Sequence, residues 1–327
     1  MSKKVLVTGG AGFIGSHVVR RLKSEGNEVT VVDNLWRGKK DNLLSETGEL
    51  ICELIDADLT QPDACNEVIA GYDWVIHLAD IVCGVNFALT NELFIFHQNI
   101  LINTNVLNAC IKNGVENYLY VGTACSFPKH LQDSYDVTIL KEDQTYPAEP
   151  ESSYGWSKLM GEYEALLASS EKRLNVGILR LHNVYGERAE YLPGRSQVIP
   201  SLIYKAISYP ETDYEVWGSG QQYRDFIYVD DVVDGIFKVM ERGMNKGMIQ
   251  IGSGVATSIR NLCETIIKIS QKEISPQFTS KMPEGDRGRI ADRSLARRVL
   301  GWEAKVKLEK GLSQTYEWIE AQMTCAQ

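Results

Sequence analysis

Tyr154 and Lys158 stand four residues apart at the start of a segment with helical periodicity, Tyr154–Ser169, so their side chains share one face of a helix. A phenol titrates near pH 10 and acts as a base at neutrality only where its anion is favoured, for example by a neighbouring ammonium. Thr123, just past the apolar run Tyr118–Val121, supplies a hydroxyl that can hold a substrate oxygen while the proton moves. Together the three make a proton relay suited to oxidising an alcohol. Tyr-x-x-x-Lys spacing also occurs on plain surface helices, so the relay gains its weight from a second motif.

That motif opens the chain. The apolar run Val5-Leu6-Val7 leads into Gly9-Gly10-Ala11-Gly12-Phe13-Ile14-Gly15, and a second run, Val29–Val32, closes on Asp33. Gly9 allows a sharp turn, Gly12 a close approach of the backbone to a pyrophosphate, and Gly15 tight packing of the next helix on the strand. Asp33, about 20 residues on, accepts hydrogen bonds from an adenosine ribose diol, which favours NAD over NADP. Arg37 is a residue type that accepts a 2′-phosphate, but Asp33 would repel one. NAD is therefore the expected cofactor, and its positive ring is a second group that favours the Tyr154 phenolate.

Apolar β-rich runs alternate with helical patterns at Val5–Val7, Val29–Val32, Leu54–Ile55, Trp74–Leu78, Tyr118–Val121 and Val176–Leu179. Helical periodicity falls between them, at Ile14–Ser24, Asn99–Lys112 and Tyr154–Ser169. The succession predicts an α/β fold, a Rossmann-type doubly wound parallel sheet. After about residue 183 Gly and Pro become frequent, and the strands around Arg224–Val229 and Met248–Ile251 are shorter. The expected division is a cofactor-binding domain at 1–182 and a smaller C-terminal α/β substrate lobe at 183–327, with segments interleaved. The chain has 327 residues, 44% hydrophobic and 24% charged, enough for a full core. A net charge of -9 argues against nucleic-acid binding, which needs phosphate-neutralising Lys and Arg. No stretch has the length of a membrane span and no signal-peptide pattern is visible, so a cytoplasmic location is expected. Seven cysteines without C-x-x-C, and five histidines without ligand spacing, suggest neither a disulfide framework nor a metal site.

The Gly9-x-x-Gly12-x-x-Gly15 loop, Asp58-Leu59, His77-Leu78-Ala79, Asn99, Tyr154-x-x-x-Lys158, His182-Asn183-Val184-Tyr185-Gly186 and Arg224-Asp225-Phe226-x-x-Val229-Asp230-Asp231 extend over essentially the whole chain. This set resembles the extended short-chain dehydrogenase/reductases that act on nucleotide sugars. The resemblance implies that Phe13, Ile14, Asn34, Asp58, Leu59, Leu78, Ala79, Asp80 and Asn99 line or support the cofactor, and that Lys158 also holds the nicotinamide ribose. It further implies that Asn183, Gln197, Arg224 and Arg287 meet the substrate, a nucleotide-diphosphate sugar, and that the chain forms a homodimer.

Within that family the segment after Tyr118–Val121 discriminates: dehydratases carry Asp-Glu there and sugar-acid decarboxylases usually Glu. This chain has Thr123-Ala124-Cys125-Ser126-Phe127-Pro128. With Pro283-Glu284-Gly285-x-Arg287-Gly288-Arg289, this is similar to the GDP-mannose 3,5-epimerases and, more distantly, the GDP-fucose synthases, which use the matching Cys as an acid/base. Oxidation at C4 makes the C3 and C5 protons acidic, and Cys125 is the candidate to remove one; its plainer role is a buried structural cysteine. The family's second acid, Lys or His, falls here at Gln197, a carboxamide that does not exchange protons near neutrality. The expected activity is an NAD-dependent nucleotide-sugar epimerase acting through a transient 4-keto sugar. The alternatives are a 4-epimerase, a 4-keto-sugar reductase, and an NAD-sensing scaffold without turnover.

Overall fold

The computed structural model describes residues 2–82, 87, 90–279 and 287–325. The first part of the chain runs β1 (Lys4–Thr8), α1 (Phe13–Ser24), β2 (Glu28–Val32), β3 (Glu53–Ile55), α2 (Pro62–Ile69), β4 (Trp74–His77), α3 (Glu92–Lys112), β5 (Asn117–Thr123), β6 (Thr138–Leu140), α4 (Ser153–Ser170) and β7 (Asn175–Leu181). It continues with β8 (Asn183–Tyr185), α5 (Val198–Ile207), β9 (Glu215–Trp217), β10 (Tyr223–Tyr228), α6 (Val229–Lys238), β11 (Met248–Ile251), β12 (Ala256–Ser258), α7 (Ile259–Ser270), β13 (Gln277–Thr279), β14 (Arg289–Ala291), α8 (Ser294–Leu300) and α9 (Leu308–Cys325). No helix of the described residues is long and apolar enough to cross a membrane.

Among the described residues seven strands form one sheet in the order β11-β7-β5-β4-β1-β2-β3, every pair parallel. A sheet covered on both faces needs apolar side chains on both faces of each strand, and the middle of β1 has them: Val5 and Val7 enter the core on one face while Leu6 enters the core on the other. The chain leaves β3 at one edge and returns beside β1 as β4, which creates a crevice at the switch point between β1 and β4.

Met248–Ile251, expected in the smaller lobe, is instead the edge strand of the main sheet, in register with Ile178–Leu181 of β7. Its four residues are all buried, so it belongs where both faces are covered. The other strands of the described residues form small pairings: β12-β10-β8, β13-β9 and β14-β6. The last pairs Arg289 with Thr138, which brings the chain's C-terminal third back against the loop that follows β5. Asp225, fully buried, fastens this junction: Oδ1 accepts from the Ser253 amide and hydroxyl, and Oδ2 from the Gly254 and Ala291 amides.

Candidate active site

A cavity of ≈ 400 Å³ opens at the carboxyl ends of the parallel strands. Gly9 and Gly12 enter its wall from the end of β1, Asp33 from β2, Asp58 and Leu59 from β3, Leu78, Ala79 and Asp80 from β4, Thr123 and Cys125 from β5, and Asn183 from the start of β8. Loops feed the crevice because a doubly wound sheet leaves its strand ends open where the winding reverses.

The cofactor half fits a dinucleotide. Gly9 adopts φ +68, and a Cβ there would lie 2.8 Å from the Ala79 amide nitrogen; a Cβ on Gly15 would overlap the Gly9 carbonyl. Gly12 is different, since its Cβ would meet only the Gly9 carbonyl, at 3.1 Å, and the residue lines the cavity. That is the space a phosphate needs. Phe13 and Ile14 begin α1 at the cavity wall, and no side chain caps this helix, so its first amides remain available to an anion. Asp33 is held at the end of β2 by the Ala11 amide on Oδ2 and the Leu35 amide on Oδ1, leaving each oxygen a further lone pair for a ribose diol. Burial raises its pKa. Asn34 and Asp58 are exposed on the rim, Asp58 closing a turn on Thr60, and Leu59 is buried beneath them. Arg37, a conceivable partner of a 2′-phosphate, donates to the Val82 and Arg195 carbonyls at 2.8 and 3.0 Å and so straps the cofactor loop to the substrate side.

Two buried polar groups set the loop after β4. Thr8 Oγ1 accepts from the Leu78 and Ala79 amides, each at 3.2 Å, and meets His77 Nδ1 at 2.7 Å. The other ring nitrogen reaches Asn103 Oδ1 at 3.0 Å, and burial pushes the His77 pKa down to about 3, so the ring is neutral. Asn99 does not line the cavity: its carboxamide pairs with the Ile81 backbone, accepting from N at 2.6 Å and donating to O at 3.3 Å. It positions the cofactor loop from below.

Between these clamps, Asp80 Oδ2 lies 3.0 Å from Lys158 Nζ and 3.3 Å from Tyr154 Oη, whose hydroxyl donates to it. Lys158 also packs 4.7 Å above the Tyr120 ring. The relay is therefore assembled but not arranged as the sequence suggested. Burial first, and the Asp80 charge second, raise the Tyr154 pKa well above its ordinary value, where the ammonium, together with the ring of a bound cofactor, was expected to favour the phenolate.

Thr123 ends β5, and its Oγ1 accepts from the Cys125 amide at 3.2 Å, which folds residues 124–126 into a tight turn. Cys125 is partly exposed to the cavity, with Arg289 Nη2 at 3.6 Å from its sulfur. Arg289 also donates to the Ala124 carbonyl and to Gln132 Oε1. Asn183 lines the cavity, and its Oδ1 is buried with no partner among the described residues, as expected of a group that awaits a ligand. Gln197 is an exposed residue on the rim. Arg224 and Arg287 are outside the cavity wall: Arg224 donates to the Tyr223 carbonyl, and Arg287 is exposed, donating to the Asp133 carbonyl with its guanidinium over Tyr135. Pro283, Glu284 and Gly285 of the last motif, and Cys83, lie outside the described residues.

A family model described as the NAD dependent epimerase/dehydratase family matches residues 5–252. The chain belongs to this family. It is 34% identical over 322 residues to GDP-mannose 3,5-epimerase 1 of Oryza sativa subsp. japonica, covering 98% of this chain and 82% of the relative. It is 32% identical over 315 residues to UDP-glucuronic acid decarboxylase 6 of Arabidopsis thaliana, covering 94% and 86%. The solved UDP-glucose 4-epimerase of Thermotoga maritima, with UDP-glucose, superposes with a TM-score of 0.86 at 29% identity, covering 98% and 99%. The protein is thus an NAD-dependent enzyme of nucleotide-sugar chemistry.

For an NAD-dependent epimerase/dehydratase of this shape the sequence missed several lining residues. Arg289 shares its motif with Arg287, the residue expected at the substrate, and the pairing of β14 with β6, a contact between distant segments, is what turns Arg289 rather than Arg287 toward Cys125. Arg188 and Glu190, in the loop after β8, also face the cavity, with Glu190 paired to Lys39 at 3.3 Å. The stretch Glu187–Glu190, just past the His182–Gly186 motif, carried no spacing signal of its own. The charge partnership of Asp80 with Lys158 spans 78 positions in the chain and left no local mark.

Proposed function

We propose that this enzyme epimerises a GDP-linked sugar at a carbon next to C4, through a transient 4-keto sugar. The observation that carries the reading is a thiol, Cys125, in the same cavity wall as Thr123 and Tyr154, with the Arg289 guanidinium beside its sulfur. The 34% identity to a GDP-mannose 3,5-epimerase supports the choice of nucleotide and reaction.

NAD, when bound, supplies the reversible two-electron oxidation at C4. Thr123 Oγ1 orients the C4 hydroxyl, and Tyr154 Oη accepts its proton and later returns it. Lys158 steadies Tyr154 and the nicotinamide ribose. Once C4 is a carbonyl, the adjacent C–H bonds are acidified because the resulting carbanion is delocalised as an enolate. Cys125, as the thiolate, takes one of these protons, and Arg289 places a positive charge beside it. Asn183, with its unpartnered buried oxygen, is assigned to the substrate, and Arg188 is the cation of the cavity wall best placed by chemistry for its diphosphate. Gln197 orients a hydroxyl or a water and transfers no proton, so reprotonation draws on water or another side chain.

One observation favours a second reading, a plain 4-epimerase: the rim position of Gln197 offers no second acid, and inversion at C4 needs none. Product analysis in heavy water separates the two. Carbon epimerisation predicts deuterium at C3 or C5 with the wild type, and collapse of that exchange in Cys125→Ser while the 4-keto sugar still forms. Absence of carbon exchange in the wild type, with inversion at C4, establishes the second reading instead. Tight NAD binding with no turnover on any GDP- or UDP-sugar rejects both.

A further inference from the structure

The reaction centre holds a charge that the relay as usually drawn does not require. A single oxygen, Asp80 Oδ2, serves both Lys158 Nζ at 3.0 Å and Tyr154 Oη at 3.3 Å. The Lys158 and Asp80 side chains are only 3% and 9% exposed, so water screens them little. The placement is built, because the backbone is fixed on both sides of Asp80. Thr8 Oγ1 takes the amides of residues 78 and 79, and the Asn99 carboxamide takes both backbone groups of Ile81.

The electrostatic consequence follows from counting charges. An ammonium alone beside a phenol favours the phenolate; an ammonium already paired with a carboxylate offers no net charge, and the carboxylate oxygen that accepts the phenol's hydrogen would repel its anion. The other titratable groups facing this point do not reverse that balance. Among the described residues they include Tyr120 from β5, Cys125 from the turn beyond it with the Arg289 guanidinium of β14 beside its sulfur, Glu162 and Arg180 paired to one another, and His77 neutral further in.

We propose that Asp80 is a positioning residue that gates the relay: it anchors Lys158 and keeps Tyr154 protonated until the positive ring of the oxidised cofactor occupies the cavity. Proton acceptance from the sugar is thereby tied to the cofactor state that can complete the oxidation. With the ring neutral after reduction, the same carboxylate helps Tyr154 retain the proton it has taken, and the keto sugar is not prematurely deprotonated by a free phenolate. This rests on Tyr154 being the base of the proposed reaction.

The test is a tyrosinate absorbance titration of wild type and Asp80→Asn, each read against the same protein carrying Tyr154→Phe, with and without NAD. Asparagine keeps the shape and removes the charge. The expected result is a Tyr154 titration lowered by about one pH unit or more in NAD-free Asp80→Asn, a drop on adding NAD to the wild type, and recovery toward wild type in Asp80→Glu. The acidic limb of kcat against pH should move the same way. An unchanged or raised Tyr154 titration in Asp80→Asn overturns the proposal. If Asp80→Asn does not fold, Asp80→Ala is titrated in its place, and failure of both to fold overturns gating in favour of a purely structural ion pair. A wild type that turns over no nucleotide sugar sinks the functional reading, and the absorbance titration still decides the role of Asp80.

Discussion

Gly155 packs against the backbone carbonyl of Cys125 so closely that a Cβ would overlap the oxygen. The helix that carries Tyr154 and Lys158 and the turn that carries Cys125 are therefore in direct backbone contact. Ser126 Oγ reinforces the join by donating to the Gly155 carbonyl at 3.2 Å, and Ser152 caps the helix by accepting from the Gly155 amide at 3.1 Å. The glycine inside Tyr154-Gly155-Trp156-Ser157-Lys158 sets how close the Tyr154 helix lies to the Cys125 turn.

Gly155→Ala should separate these two elements. The expected cost is about 1–3 kcal/mol in urea unfolding, with turnover reduced about tenfold or more because the reacting groups lose alignment. NAD affinity should change little, since the glycine loop lies on another strand end. Wild-type turnover in a folded Gly155→Ala protein would show that the two elements need not touch.

Tyr154→Phe removes one oxygen and little packing. Turnover should fall by about 10²–10⁴, while calorimetry finds NAD affinity within a few-fold of wild type. Freed of the Tyr154 hydrogen bond, Asp80 keeps its pairing with Lys158, so thermal stability should be nearly unchanged.

Asp33→Ala deletes the acceptor for the ribose diol. The expected loss is about tenfold to a hundredfold in NAD affinity, the value of a hydrogen bond or two to a charged acceptor, with NADP affected far less. The carboxylate also holds the Ala11 and Leu35 amides, so some loosening is shared by both cofactors. The difference between the two affinities is the measurement that counts, and equal losses would remove Asp33 from ribose recognition.

His77 predicts a pH dependence of stability. In the folded protein burial holds its pKa down at about 3, against about 6.5 in an unfolded chain. Between those values the unfolded state binds a proton that the native state refuses, so stability from this residue rises with pH across the window and is flat above it. His77→Asn cannot titrate. The stability advantage of wild type over this variant, measured by urea unfolding, should therefore shrink by about 2 kcal/mol from neutral pH to about pH 5. A constant gap would mean that His77 titrates alike in both states.

The sequence is most informative where function is local. Gly9 to Gly15, Asp33 and the Tyr154–Lys158 spacing are each contained within a turn, a strand end or one helical turn, and the structure brings the glycine loop, Asp33 and Tyr154 to one cavity, with Lys158 buried behind its wall on Asp80. The strands of the first half were legible because a doubly covered sheet needs uninterrupted apolar runs. β5 nevertheless extends through Thr123, which the sequence reading left just beyond the strand. What stayed hidden depends on distant pairing. Arg289 reaches Cys125 only because β14 joins β6, Asp80 meets Lys158 only because α4 lies under the β4 loop, and β11, apolar at Met248, Ile249 and Ile251, does not reveal which sheet it completes. Asn99 was recognisable by motif, but its work on the Ile81 backbone was not.

The return of Met248–Ile251 to the main sheet bears on how this molecule can be handled. A chain ended after residue 182 would lack β11, leaving the long, largely buried strand Asn175–Leu181 as a bare sheet edge. Unpaired amides and carbonyls along such an edge recruit other chains. The amino-terminal piece should therefore come out of expression as inclusion bodies rather than as a working cofactor-binding fragment. Supplying residues 183–327 from a second plasmid should restore soluble protein, because the missing strand can then be donated in trans.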